Sequence, residues 1–501
     1  MPDQVEDILR RLEAQGVRVT GLATNSRELR PGEVFLAYPG SKRDGRAFVG
    51  EALARGAAAV LWERAGFEWN SALRLPNVGV ENLRGLAGYL AHQVFGRPSE
   101  KLWTIGVIGT NGKTSCSQWI AQACGTCGAR TAVIGTLGIG FPAPPGQAGE
   151  LDSAVNTTPD AVLLHRSLAQ LLAAGAQGVA MEVTSIGLDQ GRVNGVVFGA
   201  ALFTNLSRDH LDYHGDMESY ARAKQRLFET PGLKHAVLNL DDVQGVTIAR
   251  MLAETGVNRA GYSCFDGVAA RAGLERFIEA HAIDVSAKGI AFTVKSSWGE
   301  ARVESPLFGR FNVSNLLGVL GTMLVSGVPF ERATAALTRL EPVVGRMQRL
   351  GGAGKPLVVI DFAHTPDALE QTLAALKDVA TAGGGRLVAV FGCGGERDRG
   401  KRPLMGAVAS RQADAIIVTS DNPRGEEPAA IIAEIAAAIS IAYEVIDDRA
   451  VAIAHAIATA RAGDVVLLAG KGHETTQEIA GKKIPFSDVL EAKQALKGWN
   501  G

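Results

Sequence analysis

Six residues, Gly109-Thr110-Asn111-Gly112-Lys113-Thr114, stand between an apolar run at 102–108 and a stretch with helical spacing at 115–127. Strand, Gly-rich turn and helix in that order belong to a βαβ unit, which points to a parallel sheet covered by helices. The turn also carries chemistry. Successive backbone N–H groups at a helix N-terminus, with the positive end of the helix dipole, favour phosphate. Lys113 can reach terminal phosphates and the Thr114 hydroxyl suits Mg²⁺. The spacing departs from the strict Walker pattern, because Val107 stands five before Gly112. The segment is predicted to bind a nucleoside triphosphate.

Composition removes several function classes. Lys plus Arg (51) nearly cancels Asp plus Glu (52), so no global basic field draws the chain to nucleic acid or a membrane. Asp3, Glu6, Asp7, Arg10 and Arg11 break up the first residues, which argues against a signal peptide. No run approaches the roughly 20 apolar residues of a membrane span. Five cysteines are an odd number without a disulfide framework. The expectation is a cytoplasmic monomer with no nucleic-acid partner and no membrane insertion. Cys124-Gly-Thr-Cys127 lacks the second Cys or His pair that zinc needs, and falls near the end of a helix, where thiolates are not activated. It reads as two small core-facing residues.

At 501 residues the chain has room for about three domains. Three textures mark them: 1–100, with short apolar runs and a Gly-rich loop at 40–45; 101–341; and 342–501. The segment 96–100 reads as a linker. Strand candidates at 104–108, 131–134, 178–183, 200–203 and 236–238 alternate with helical patterns and predict a parallel sheet. After Pro342 the alternation restarts with 357–360, 387–391, 415–419 and 465–468, a second doubly wound, Rossmann-like sheet. An Ala-rich helix is expected over 428–442. The fold class is α/β in three domains, the first a smaller α/β unit.

Open α/β sheets place ligands at the carboxyl ends of their strands. Met181-Glu182-Val183-Thr184-Ser185 ends one candidate strand, and Phe203-Thr204-Asn205-Leu206-Ser207-Arg208-Asp209-His210 another. Beside a phosphate loop, Glu182 and His210 become candidate Mg²⁺ ligands. Lys224, with Arg222 and Arg226 nearby, reads from residues alone as a solvated helical lysine.

These and further segments resemble the Mur ligases along nearly the whole chain. They include Asn25-Ser26-Arg27, Asp44-Gly45-Arg46, Asn156-Thr157-Thr158-Pro159-Asp160, Gln190-Gly191-Arg192-Val193 and Gly309-Arg310-Phe311-Asn312. Gly345-Arg346-Met347, Asp361-Phe362-Ala363-His364, Gly392-Cys393-Gly394-Gly395, Asp421-Asn422-Pro423-Arg424 and Gly470-Lys471-Gly472-His473-Glu474 follow in the same order.

The resemblance implies an ATP-dependent amide-bond ligase of peptidoglycan precursor synthesis. It would join a diamino acid to the D-glutamate of UDP-N-acetylmuramoyl-L-alanyl-D-glutamate through an acyl phosphate. By the resemblance, Gly109 to Ser115 with Asn312, Arg346 and Asp361 would hold ATP. Thr114, Glu182, His210 and a carbamylated Lys224 would hold Mg²⁺, and Lys113, Lys224 and His210 would serve catalysis. A cationic shell from Arg222 would favour the carbamate. Thr24, Ser26 and Ser41 would take the uridine end of the nucleotide sugar, and Asn156, Thr157, Thr158, Thr184, Gln190 and Arg192 its peptide end. Arg397, Asp421, Asn422, Pro423, Arg424, Gly470 and Glu474 would hold the amino acid. Arg424 favours meso-diaminopimelate over lysine, because a guanidinium grips the distal carboxylate bidentately.

Five positions depart from the family pattern: Ile108, Thr184, Ile186, Phe362 and Ser487. The alternatives are a lysine-adding relative, a folate polyglutamate ligase and, in another class, a P-loop switch. A switch would carry a Walker B strand ending in Asp or an Asn-Lys-x-Asp guanine reader, and neither is evident here, since the comparable strand ends in Glu182.

Overall fold

The computed structural model describes residues 2–40, 43–143, 149–152, 156–268, 272–286 and 289–499. Its first sheet pairs β1 (Leu22–Ala23), β2 (Val34–Ala37), β3 (Ala59–Glu63) and β4 (Asn77–Val80), all parallel. Helix Leu83–Val94 covers it and turns Leu83, Leu86, Ala87, Leu90 and Ala91 inward at helical spacing.

The second sheet runs β15-β14-β13-β12-β11-β10-β5-β9-β6-β7-β8. Its strands are β5 (Trp103–Ile108), β6 (Thr131–Gly135), β7 (Gly138–Phe141), β8 (Glu150–Asp152), β9 (Gly178–Glu182) and β10 (Ala200–Phe203). They continue as β11 (His235–Asn239), β12 (Asn258–Ser263), β13 (Arg276–Ser286), β14 (Gly289–Ser296) and β15 (Gly299–Ser305). From β13 to β6 the pairing is parallel, and the central strands β11, β10, β5, β9 and β6 are apolar because both faces are covered. The flanks, β14–β15 and β7–β8, are antiparallel additions that the alternating pattern did not reveal.

One face is closed by helix Phe311–Val325, apolar almost all round, with Leu316, Leu317, Leu320 and Met323 inaccessible to water. Burying each such side chain contributes about 1.5–3 kcal/mol. No helix among the described residues is long and apolar enough to cross a membrane.

The third sheet runs β16-β17-β21-β18-β19-β20. It is built from β16 (Gln348–Gly351), β17 (Leu357–Asp361), β18 (Leu387–Phe391), β19 (Ala415–Val418), β20 (Tyr443–Val445) and β21 (Val465–Ala469). A hairpin, β22 (Thr476–Ile479) with β23 (Lys482–Pro485), follows it. Within the six-stranded sheet only β16 is antiparallel.

Several local expectations change. The 96–100 segment is no slack linker: Pro98–Lys101 forms a helical turn, and the buried Ser99 hydroxyl accepts the Val197 N–H at 3.0 Å. The helix after the phosphate loop begins at Lys113 and ends at Thr126. Helix Pro428–Ala436 stops six residues short of 442. Cys124 is buried as expected, but Cys127 caps its helix half-exposed, with its Sγ toward the Arg332 carbonyl.

His165 lies fully buried between the first two sheets, on helix Ala161–Ala173. Its Nε2 is 2.9 Å from the Asn194 carbonyl, its Nδ1 has no partner, and burial lowers its pKa to about 4. That lies below the value of about 6.5 in an unfolded chain, so on acidification the unfolded state takes the proton first. The stability tied to this ring is therefore complete above pH 6.5 and is lost as pH falls toward 4. Urea midpoints at pH 7 and pH 5 should differ less in His165→Gln than in the parent chain; an equal difference contradicts this account.

Candidate active site

β5 lies between β9 and β10 in register, with Val107 opposite Glu182 and Ile108 opposite Phe203. The phosphate loop, the Glu182 cluster and the 204–210 segment therefore leave the same edge of the sheet together. Thr204 and Asn205 brace the loop. Asn205 takes the Thr110 N–H on its carbonyl and the Asn111 N–H on its side chain, both at 2.8 Å, while the Thr204 hydroxyl donates to the Asn111 carbonyl at 2.6 Å. A Cβ at Gly109 would collide with the Thr204 hydroxyl, so this brace requires glycine. Gly112 is required twice, by φ +85° and by the Asn315 Oδ1 that a Cβ would approach to 2.6 Å.

The bracing corrects one expectation. The N–H groups of Thr110 and Asn111 are already committed, which leaves the first turn of helix Lys113–Thr126 to face an anion. Cys116 N–H returns to the Gly112 carbonyl, and N–H groups ahead of the first such bond have no helical acceptor. Lys113 arches over the loop, its Nζ donating to the Gly109 and Thr110 carbonyls at 2.8 Å each. Burial lowers its pKa, opposed by the charges of Glu182 and Asp209.

Glu182, at the end of β9, is buried and fully engaged. Its Oε2 accepts the Thr114 hydroxyl at 2.9 Å and the Thr136 hydroxyl at 3.1 Å, and its Oε1 the Thr136 N–H at 2.7 Å. The Thr136 hydroxyl is 3.0 Å from that of Thr157; the Thr158 hydroxyl donates to the Glu182 carbonyl at 3.0 Å and lies 3.1 Å from that of Thr184. Arg192 donates to the Thr158 carbonyl at 2.8 Å and grips Gln190 Oε1 at 2.7 and 3.1 Å. The structure thus gathers Thr157, Thr158, Thr184, Gln190 and Arg192 beside the phosphate loop, with Asn156 exposed at their edge. Thr136 was not singled out from the sequence, although a Thr directly after a strand ending in Gly135 is a usable signal.

Further off, Thr24 donates to Asp160 at 3.2 Å and Ser26 to Glu51 at 3.0 Å. Both line a cavity of about 320 Å³ with Phe35, Tyr38, Arg43 and Phe48. Ser41 lies outside the described residues.

His210 opens a short helix at φ +54°, its Nε2 3.4 Å from Asp209 Oδ2. Burial lowers its pKa to about 4, so the ring is neutral near pH 7 and free to act as a ligand. Among the described residues no three or more His, Cys, Asp or Glu side chains gather into a metal cluster. Mg²⁺ keeps several waters and takes one or two carboxylates plus substrate phosphates, so a site for it needs no such cluster. The oxygens of Thr114 and Glu182 fit such an ion.

Lys224 differs most from its solvated reading. It is 1% exposed, with Nζ 4.3 Å from the Tyr220 ring centroid. Burial, then the Lys113 charge, hold its pKa well below the usual lysine range, with Asp209 and Asp242 opposing. Arg222 plays no part in this: it is exposed and pairs with Glu218 at 3.5 Å.

The third sheet turns its carboxyl ends toward the same space. Arg346 donates to the Thr114 hydroxyl at 3.1 Å, covers the Phe362 ring at 4.3 Å, and keeps a buried Nε without a partner. Asp361 accepts the N–H groups of Met347 and Ala363 at 2.7 and 2.8 Å; burial raises its pKa, opposed by Arg346. Asn312 donates to the Phe308 carbonyl at 2.6 Å and accepts from Asn315 at 2.9 Å. Three more bridges join the two sheets: Asn111 to Asp367 at 2.9 Å, Arg208 to Asp398 at 2.9 and 3.0 Å, and His364 to Asp209 at 3.6 Å. None of these pairings was read from the sequence, because pairing across separate sheets leaves no spacing signal.

At the far side of this space Asn422 donates to Glu474 at 2.9 Å, and the buried Lys471 Nζ donates to Asn422 Oδ1 at 3.1 Å and Glu474 at 2.8 Å. Arg424, at φ +52°, donates from Nη1 to the Gly395 carbonyl at 2.7 Å, and its Nε is 3.5 Å from Glu478. A Cβ at Gly395 would strike the Pro423 carbonyl, and one at Gly470 would strike Asp421. Arg397 is exposed on the neighbouring loop.

Comparison with known proteins places this arrangement. The chain matches the Mur ligase family, catalytic domain, over 18–94, the Mur ligase middle domain over 107–323 and the Mur ligase, glutamate ligase domain over 345–472. It is 49% identical over 501 residues to the UDP-N-acetylmuramoyl-L-alanyl-D-glutamate–2,6-diaminopimelate ligase of Chromobacterium violaceum, covering 100% of this chain and 98% of the relative. A solved structure of a ligase of the same name is 37% identical, with TM-score 0.66 over 96% of this chain and 95% of that one. A Thermotoga maritima MurF ligase, solved in complex with ADP, shares the fold at 18% identity and TM-score 0.64, over 96% and 97% of the two chains. With family models matching all three sheet regions and near-half identity over its full length, the chain belongs to the Mur ligase family.

Proposed function

We propose that this chain is an ATP-dependent ligase that adds meso-2,6-diaminopimelate to the D-glutamate carboxylate of UDP-N-acetylmuramoyl-L-alanyl-D-glutamate. One observation carries the reading: Arg346, which leads into the last sheet, donates to Thr114 of the phosphate loop, and the loops after β19 and β21 of that sheet carry Asn422, Arg424 and Glu474. A carboxylate is a poor acylating agent. Transfer of the ATP γ-phosphoryl group to a carboxylate oxygen gives an acyl phosphate; attack by the amine then expels phosphate as the amide forms. Phosphoryl transfer depends on positioning and charge neutralisation. Lys113, the first-turn N–H groups and Arg346 supply fixed positive charge, and Asn312, Arg346 and Asp361 would hold adenine, ribose or phosphate. Thr114, Glu182 and His210 would hold Mg²⁺, which neutralises phosphate charge when bound.

The first domain, 1–100, takes the uridine end in the cavity beside Thr24 and Ser26. Thr157, Thr158, Thr184, Gln190 and Arg192 take the peptide end. The last domain, 342–501, takes the amino acid. Incubating enzyme, Mg²⁺, ATP and the UDP-sugar dipeptide with meso-diaminopimelate or L-lysine, and weighing the products, decides between the two readings of the amino acid. The diaminopimelate adduct is expected; a lysine adduct alone makes this a lysine-adding relative, and ADP release without any adduct makes it a switch.

Lys224 acts as a carbamate in this reading. A neutral buried amine is the form that attacks CO₂: an N–C bond forms as a C–O π bond opens, one amine proton leaves to solvent, and an anionic carbamate replaces a neutral amine. Depleting CO₂ should lower turnover, with bicarbonate restoring it. A nucleotide-bound crystal structure showing an unmodified Lys224 amine would falsify the carbamate.

Arg424 sets the choice of amino acid. A distal carboxylate entering this pocket is desolvated, and charge-assisted hydrogen bonds worth roughly 1.5–3 kcal/mol offset that loss. In Arg424→Ala the diaminopimelate KM should rise about tenfold to a hundredfold, at about 1.4 kcal/mol per decade. The KM values for ATP and the UDP-sugar dipeptide should hold. Lysine gains little, because removing one grip builds no lysine pocket. An unchanged diaminopimelate KM in a folded variant overturns the assignment.

A further inference from the structure

Two buried charges in the last sheet have no part in the chemistry above. Arg449 opens helix Arg449–Thr459 and Asp488 opens helix Asp488–Lys497, and neither side chain has any exposed surface. Arg449 Nε and Nη2 donate to Asp488 Oδ1 and Oδ2 at 2.8 Å each. Its remaining donors reach main chain, Nη2 to the Ala469 carbonyl at 2.9 Å and Nη1 to the Ser420 carbonyl at 3.4 Å. Ala469 is the last residue of β21, and Ser420 lies two beyond the end of β19. These strands are not neighbours, because β18 runs between them. No ladder bond ties their carboxyl ends, and the guanidinium spans the gap. Immediately past the two carbonyls the chain enters Asp421-Asn422-Pro423-Arg424 on one side and Gly470 to Glu474 on the other.

We propose that Arg449, held by Asp488, is a positioning residue for the diamino-acid pocket, fixing the separation of the two loops that carry Asn422, Arg424 and Glu474 without touching the amino acid. The inference rests on the pocket assignment above. The loops also bond to each other directly: Asn422 meets Lys471 and Glu474 with groups that would face a ligand, and further along Gln477 donates to the Asp421 carbonyl at 2.7 Å and Arg424 pairs with Ile479 through main chain, whereas Arg449 holds the points where both loops leave the sheet. The Arg449 bonds lie beneath, shielded from water. There is little slack above them: a Cβ at Gly470 would strike Asp421, and one at Gly392 the Thr419 carbonyl.

Stability does not account for the pair. Apolar residues of similar volume often serve a core as well as a buried ion pair or better. What they lack is donors for two separated carbonyls, a task that suits a planar guanidinium fork and not an ammonium.

Two variants separate position from stability: Arg449→Lys, and Arg449→Met combined with Asp488→Leu. In both, the KM for meso-diaminopimelate should rise about tenfold or more, since a shift of about 1 Å in a binding group is enough for changes of that order. The KM values for ATP and the UDP-sugar dipeptide should stay within about twofold, because their residues lie on other elements. The apolar pair should regain the melting temperature that Arg449→Lys loses, yet not the KM. Recovery of the KM together with stability, or a parallel rise of all three KM values, overturns the proposal and leaves the pair a packing element. If Arg449→Lys fails to fold, the apolar pair decides alone. Arg424→Ala, measured beside them, keeps the two claims distinct. A raised KM in Arg424→Ala with an unchanged KM in the Arg449 variants overturns positioning only, whereas an unchanged KM in Arg424→Ala overturns the pocket itself.

Discussion

A buried carboxylate organises the centre of this molecule. Glu182 ends β9 opposite Val107 of β5, and that register sets its side chain under the helix that begins at Lys113. An unpaired carboxylate there would be costly, and Thr114 and Thr136 satisfy it with three donors. Gly135 is part of the same solution, since a Cβ on it would collide with Glu182 Oε1. From this one group the contacts run outward: through Thr114 to Arg346 of the last sheet, through Thr136 to Thr157, and through the Glu182 carbonyl to Thr158. Three stretches far apart in sequence are brought to one place by one charge and its donors.

The arrangement also explains where the structure tolerates imperfection. Arg346 keeps a buried Nε with no partner, and His473 a buried Nδ1, both on the side of the last sheet that faces the phosphate loop. An unpaired buried donor costs about 1–3 kcal/mol. Burial lowers the His473 pKa to about 4, and Arg346 adds to the shift, so this edge carries its positive charge on arginine and lysine instead of histidine. The unspent Arg346 donor beside a Gly-rich loop is what a ligand with acceptor oxygens would use.

Much of this was legible in the chain. The parallel strands announced themselves as short apolar runs, because a strand covered on both faces has no polar side to show. The clusters after β9 and β10 were found because polar residues following an apolar run are conspicuous. What stayed hidden shares a different cause. The antiparallel flanks β13–β15 alternate polar and apolar residues, with His281, Asp284 and Lys295 in their midst, and so lack the apolar signature. Lys224 gave no warning of its burial, since its helix also carries Arg222 and Glu218 at exposed positions. The commitment of the Thr110 and Asn111 N–H groups to Asn205 depends on a loop 94 residues away, and no local pattern encodes it. The diaminopimelate reading rests on Asp421-Asn422-Pro423-Arg424 and the resemblance that gives Arg424 its role, not on spacing.

That last commitment alters what the phosphate loop is. A Gly-rich turn with all its N–H groups free would be mobile, and ordering it around a ligand would cost conformational entropy. Here the Asn205 bonds and the Thr204 hydroxyl hold the turn already, and the required absence of a side chain at Gly109 lets those braces come close. Two potential anion donors are given up so that the remaining first-turn groups stand in fixed positions. For a reaction governed by placement of charge more than by a strong nucleophile, that exchange is favourable, because donors already oriented need no reorganisation when charge develops. The same logic fits Lys113, whose Nζ rests on two loop carbonyls instead of ranging through solvent. Rigidity at this edge is therefore the property that the surrounding side chains, most of them remote from any substrate, are arranged to supply.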